Sequence, residues 1–115
     1  ADILNPDIAG MGGILDMLEL AEMAHRQDVR ISPHCWNSMT VAAAAMLHVC
    51  AAIPNAEMAE IYPEYIEPGT GYATTGFRVD GTHAHLSGLP GLGVEIDTGA
   101  LRKLSEHFQS SRPTA

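Results

Sequence analysis

Three short apolar runs recur along the first half of the chain, and helical or loop segments separate them. The runs cover residues 2–5, 29–32 and 56–61, and the first two end at Pro6 and Pro33. Short apolar runs that stop at a proline are typical of buried strands. Strands that alternate with helices through short connections predict a parallel sheet of right-handed βαβ units. The sequence therefore predicts the α/β class.

Two helices are predicted between these strands. From Ile14 to Ala24 the apolar residues recur every three or four positions, and charged side chains take the opposite face. The second helix runs from Met39 to about Ile53, where Pro54 follows, and is apolar almost all round. A helix without a polar face must be covered on more than one side.

The second half of the chain is rich in glycine and loops. A strand is predicted at 82–86 and a short helix near 98–108. Three parallel strands leave both sheet edges unpaired, and such sheets need cover on both faces. A (β/α)8 barrel takes about 250 residues, whereas this chain has 115 and begins with Ala1. We therefore expect part of a larger barrel, preceded by further residues.

Charge and apolar length argue against several partners. The formal charge is −8 with six lysines and arginines, which disfavours nucleic acid and anionic membranes. The longest apolar stretch, 39–53, is shorter than the roughly 20 residues that span a bilayer, and no signal-peptide pattern is present. Cys35 and Cys50 do not make a disulfide framework, and they favour a reducing cytoplasm.

Ionisable residues follow the three predicted strands at the point where each ends: Asp7, His34 and Glu60. Sites in α/β folds form at the carboxyl end of the sheet, so we expect the three side chains to line one common site there. The structural alternatives are that Asp7 caps the glycine turn and that His34 caps a turn. Glu57 is a rival to Glu60, but strand alternation turns it to the opposite face.

The other histidines have simpler interpretations. His48 lies inside the apolar helix and is interpreted as a core histidine with a satisfied ring. His83 and His85 share one face of a strand and are candidate metal ligands, but no third ligand stands at a matching spacing.

Four motifs together carry a family resemblance. They are Asn5-Pro6-Asp7 with Gly12-Gly13-Ile14, Ser32-Pro33-His34-Cys35-Trp36, Ala51-Ala52-Ile53-Pro54-Asn55 before Glu60, and Pro90-Gly91-Leu92-Gly93-Val94. Residues 1–97 resemble the last third of the barrel of the enolase superfamily, mandelate racemase and muconate lactonizing enzyme type. The last motif resembles the segment that returns to the capping domain. Residues 98–109 are then a C-terminal helix, and 110–115 a disordered tail.

The resemblance implies about the last three βα units of a (β/α)8 barrel and proton abstraction next to a carboxylate. It implies that Asp7 fixes the tautomer of His34, whose other ring nitrogen moves a proton as base or as acid. Glu60 would bind the substrate carboxylate as the enediolate forms, and this requires a raised pKa. Cys35 and Trp36 would line the substrate pocket, although packing is an equal alternative.

The resemblance also implies parts that this sequence lacks. The Mg²⁺ ligands and the second base lie on earlier strands, so this stretch alone is expected to be inactive. Gly10 stands where many relatives carry lysine, which disfavours mandelate as substrate. We expect a sugar-acid or hydroxy-acid dehydratase, with a racemase or cycloisomerase as the next interpretation. The full protein is expected to be a cytoplasmic homo-oligomer that binds a small carboxylate.

A second hypothesis remains open at this point. The absence of the metal-binding strands motivates this alternative, a truncated, non-catalytic barrel module that pairs its exposed sheet edges with another chain.

Overall fold

A computed structural model of the chain describes residues 1–35, 40–66 and 70–110. The first four elements confirm the predicted alternation of strand and helix. In chain order the elements are β1 (Ile3–Leu4), α1 (Ile14–His25), β2 (Arg30–Ile31), α2 (Thr40–Ala52), α3 (Pro63–Ile66), β3 (Phe77–Asp80), β4 (His83–Leu86) and α4 (Thr98–Ser110).

The first two strands pair in parallel, as the sequence predicts. Ile3 lies opposite Arg30 and Leu4 opposite Ile31. Both strands are short because Pro6 and Pro33 each remove a main-chain donor from the ladder. The pairing nevertheless continues past the prolines, because the N–H of His34 donates to the carbonyl of Pro6 at 2.9 Å.

The predicted third strand is present as an irregular segment, which we call the third segment (residues 55–60). It lies on the other side of β2, where Ala56 bridges Ile31 in parallel. The N–H of Ile31 donates to Asn55, and the N–H of Glu57 donates to Ile31, each at 2.8 Å. The order β1–β2–third segment is that of consecutive βα units, but the described residues form an open sheet and no closed barrel.

The main core cluster is built around α2, whose buried residues pack with Met17 of α1 and with Cys35 and Phe77. Five consecutive residues of α2, from 43 to 47, are buried, so almost its whole circumference is covered there. α2 contacts α1 and also β4. The expectation that this helix is covered on more than one side is confirmed. Inside it, the half-buried His48 places Nδ1 2.8 Å from the carbonyl oxygen of Ala44, which agrees with a satisfied core histidine.

The C-terminal half contains two elements that the sequence did not predict, the strand β3 and the short helix α3. β3 and β4 form an antiparallel hairpin in which Phe77 lies opposite Leu86 and Asp80 opposite His83. β4 was predicted and β3 was not. The signal for it is the pair Gly81-Thr82, because glycine at the first position of a two-residue turn is typical of a hairpin, and Gly81 has a φ of 58°.

The predicted C-terminal helix is confirmed as α4. Asp97 caps it, because its Oδ1 accepts from the N–H groups of Gly99 and Ala100, each at 2.9 Å. The predicted disordered tail lies, apart from residue 110, outside the described residues. In the part of the chain that the structure describes, no helix has the length and apolar character needed to cross a lipid bilayer.

Candidate active site

The ends of β1 and β2 bring two of the predicted site residues side by side. Asp7 and His34 form a parallel bridge one residue beyond Pro6 and Pro33. The two strands pair in parallel, with Ile31 buried between its neighbours, and the prolines end them at the same level. The side chains of Asp7 and His34 therefore leave the sheet together at its carboxyl end.

The carboxylate of Asp7 uses its two oxygens differently. Oδ1 accepts from the N–H groups of Ala9 and Gly10, at 2.8 and 2.9 Å. Oδ2 lies 3.5 Å from Nδ1 of His34. The turn-capping role and the contact with the histidine, considered as alternatives from the sequence, thus occur together. The turn fixes the rotation of the carboxylate that faces the ring.

Glu60 approaches the same histidine from the third segment. Its Oε2 lies 3.7 Å from Nε2 of His34. Its main-chain N–H donates to the carbonyl of Pro33 at 3.3 Å, which fixes the backbone beside β2. The rival Glu57 accepts instead from the guanidinium of Arg30 at 2.7 Å. Of the two glutamates, Glu60 is therefore the one placed against the histidine.

The side chains of Asp7, His34 and Glu60 form a cluster that is partly exposed to solvent. The exposed fractions are 22% for Asp7 and 32% for both His34 and Glu60. An imidazole between two carboxylates, one at each ring nitrogen, can gain a proton at one nitrogen while the other is held. Partial exposure leaves the group accessible to a small molecule. The arrangement can therefore act as a general acid or base.

The predicted pocket residues have different outcomes. Trp36 lies outside the described residues, and its predicted role remains a prediction. Cys35 is 0% exposed and belongs to the main core cluster, so the structure favours its packing role. Its main-chain N–H nevertheless reaches the site and donates to Oε2 of Glu60 at 3.0 Å. Sequence patterns gave no signal for this contact, because it depends on the backbone position of two separate segments.

Within 1–35, 40–66 and 70–110, no three His, Cys, Asp or Glu side chains stand close enough together to hold a metal ion. His83 and His85 place their ring centroids 6.5 Å apart on the hairpin and acquire no third ligand. The described residues therefore do not provide a Mg²⁺ site.

Most of the chain matches a known family. Residues 1–100 match the family described as "Enolase C-terminal domain-like". A D-galactonate dehydratase of Ralstonia nicotianae is 36% identical over 101 residues, which are 83% of this chain and 26% of that enzyme. A D-galactarolactone cycloisomerase of Agrobacterium fabrum is 35% identical over 112 residues, which are 87% of this chain and 28% of that enzyme. The chain thus spans about a quarter of the length of these curated relatives.

Solved structures share the fold. An enolase from environmental shotgun sequencing of the Sargasso Sea superposes with a TM-score of 0.85 at 48% identity, over 90% of this chain and 28% of that one. An enolase from Pantoea ananatis with bound D-gluconate and Mg superposes with a TM-score of 0.81 at 23% identity, over 89% of this chain and 25% of that one. The second likeness shows the fold alone.

Proposed function

The chain belongs to the enolase C-terminal domain-like family of the enolase superfamily, and we propose that it supplies the last three βα units of a (β/α)8-barrel enzyme. The reaction is removal of the proton next to a substrate carboxylate, and the first candidate is dehydration of a sugar acid. The observation that carries the proposal is the placement of His34 between Asp7 and Glu60 at three consecutive strand ends. The name of the Ralstonia nicotianae relative favours a dehydratase.

In this proposal each residue has one role. Asp7 accepts from Nδ1 of His34, so that the proton moves at Nε2. Nε2 either takes the α-proton, whose C–H electron pair then forms the enediolate, or protonates the departing β-hydroxyl as water. Which of the two applies depends on the stereochemistry of the substrate. Glu60 binds the substrate carboxylate as negative charge develops on it.

The remaining parts of the enzyme are assigned to residues outside this stretch. The family's Mg²⁺ supplies the main electrostatic stabilisation of the enediolate, and the described residues do not hold it. The partners in this proposal are the rest of the barrel, a capping domain and further copies of the full-length protein. The proposal keeps the cytoplasmic setting that the two cysteines favour.

The test is α-proton exchange in the full-length product of the reading frame. Sugar acids are incubated in deuterium oxide with Mg²⁺, and exchange is followed by NMR. His34→Asn is expected to lower the rate about 10²- to 10⁴-fold, the usual contribution of a general acid or base. His85→Asn is the matched control, because it makes the same change on the exposed hairpin. Undiminished exchange in His34→Asn would remove the histidine from the mechanism.

The cycloisomerase interpretation is the runner-up within the same chemistry. It is favoured by the name of the Agrobacterium fabrum relative. Both reactions begin with loss of the α-proton, so the exchange test does not separate them. Analysis of the products does, because dehydration releases water and gives a keto acid, whereas cycloisomerisation rearranges the substrate without loss of water.

A non-catalytic pairing module is the second candidate. It is favoured by exposed apolar side chains along the sheet, of which Ile3 is 41% and Met58 66% exposed. Such a module would bind another chain through its sheet edges. Analytical ultracentrifugation of the 115-residue chain tests this, because a stable monomer at all concentrations contradicts it.

A further inference from the structure

A main-chain group reaches the site in addition to the three ionisable side chains. The N–H of Cys35 donates to Oε2 of Glu60 at 3.0 Å, and the same oxygen lies 3.7 Å from Nε2 of His34. Cys35, which follows His34 in the chain, therefore binds the carboxylate of Glu60 that lies beside the His34 ring.

The backbone around this N–H group is fixed on both sides. On the β1 side, the N–H of His34 donates to the carbonyl of Pro6 at 2.9 Å. On the other side, the carbonyl of Pro33 accepts from the N–H of Glu60 at 3.3 Å. The side chain of Cys35 is buried in the main core cluster. A close-packed core resists displacement, so the N–H group is held in one place.

We propose that Cys35 is a positioning residue whose main-chain N–H sets the orientation of Glu60 relative to His34. The inference rests on the proposed function, because this orientation matters to catalysis only if both side chains meet one substrate. The buried side chain of Cys35 anchors the loop, and the N–H carries that anchoring into the site. Cys35 thus affects the reaction through Glu60 and not by touching substrate.

The first test is geometric and does not depend on activity. Amide hydrogen exchange of Cys35 is measured by NMR on the ¹⁵N-labelled 115-residue chain. In Glu60→Ala the exchange is expected to become faster, on the order of tenfold, because the hydrogen bond from this N–H to Glu60 is lost. Glu57→Ala is the control, because that glutamate pairs with Arg30. Equal exchange of the Cys35 amide in the wild type and in Glu60→Ala would overturn the proposal.

The second test measures turnover by the full-length protein. The amide of Cys35 is replaced by an ester, which removes the N–H and keeps the side chain. We expect kcat to fall about 10- to 100-fold, as misplaced catalytic groups do, with KM little changed. In a Glu60→Ala background the same ester is expected to have no further effect. An ester at Glu57, whose N–H donates to Ile31 at 2.8 Å, controls for loss of stability.

The outcomes separate the two proposals. Turnover that depends on Glu60 but not on the N–H of Cys35 overturns the positioning role and leaves the proposed function standing. A full-length protein without turnover on any acid contradicts the proposed function, and the amide-exchange experiment then decides the geometric claim alone.

Discussion

Asn55 joins three parts of the fold through one buried amide. Its Nδ2 donates to the carbonyls of Ala21 in α1 and Val29 before β2, at 3.0 and 2.9 Å. Its main-chain carbonyl accepts from the N–H of Ile31 at 2.8 Å. The residue is only 8% exposed. The side chain therefore ties α1 and the entrance of β2 to the start of the third segment.

Asn55→Asp is nearly isosteric and removes only the donor, so its cost can be worked out from these contacts. The two hydrogen bonds contribute about 1 kcal/mol each. The new oxygen faces two carbonyl oxygens in a buried position, which adds roughly 1–3 kcal/mol. We expect the free energy of unfolding to fall by about 3–5 kcal/mol. The melting temperature then falls by about 12 °C or more, at roughly 4–8 °C per kcal/mol for a small domain.

The assay is urea unfolding of the 115-residue chain, followed by far-UV circular dichroism at neutral pH. Asn5→Asp is the matched control, because Asn5 is exposed and its Nδ2 makes one hydrogen bond, to the carbonyl of Ser32. The control is expected to lose about 1 kcal/mol. Equal loss of stability in the two variants would refute the reasoning, because it would show that the buried amide contributes no more than an exposed one.

Two further predictions concern the turns and the half-buried thiol. Gly76→Ala is expected to cost about 3 kcal/mol or more in urea unfolding, because a Cβ there would lie 2.3 Å from the carbonyl oxygen of Leu92 at a φ of +70°. Gly81→Ala has a similar φ of +58° and open space around it, so it should cost only about 1 kcal/mol, and equal costs would contradict the clash. Burial raises the pKa of the Cys50 thiol from 9.0 to about 11, so iodoacetamide alkylation of the native chain should still increase with pH at pH 10, and a plateau by then would contradict this. Because the native thiol keeps its proton longer than the unfolded one, this group also makes stability fall as the pH rises from about 9 through 11.

Much of the βα half was predictable because its signals are local. The start of α1 at Ile14 and the bounds of α2 follow from periodicity, from Pro54 and from the preceding loop. The hairpin was predicted only in part. Strand β3 has four residues, and only Phe77 among them is buried. The short helix α3 was not predicted, because four residues are too few to show a helical period.

The candidate site shows the same division between local and non-local signals. Asp7 and His34 could be identified because each follows a proline that ends a strand, and neighbouring parallel strands end at one level. The contact between Oε2 of Glu60 and the N–H of Cys35 could not, because it depends on how the third segment packs beside β2. Trp36 lies outside the described residues, and its role stays a prediction.

By itself, the sequence determined that strands and helices alternate and that Asp7, His34 and Glu60 follow three successive strands. These features depend on apolar spacing and on proline, which act over a few residues. Strand alternation in the sequence also favoured Glu60 over Glu57. Only the tertiary structure decided that the N–H of Cys35 donates to Glu60 while the side chain of Cys35 packs in the core. That contact depends on the register and packing of residues 25 positions apart in the chain, and no local pattern of residues encodes it.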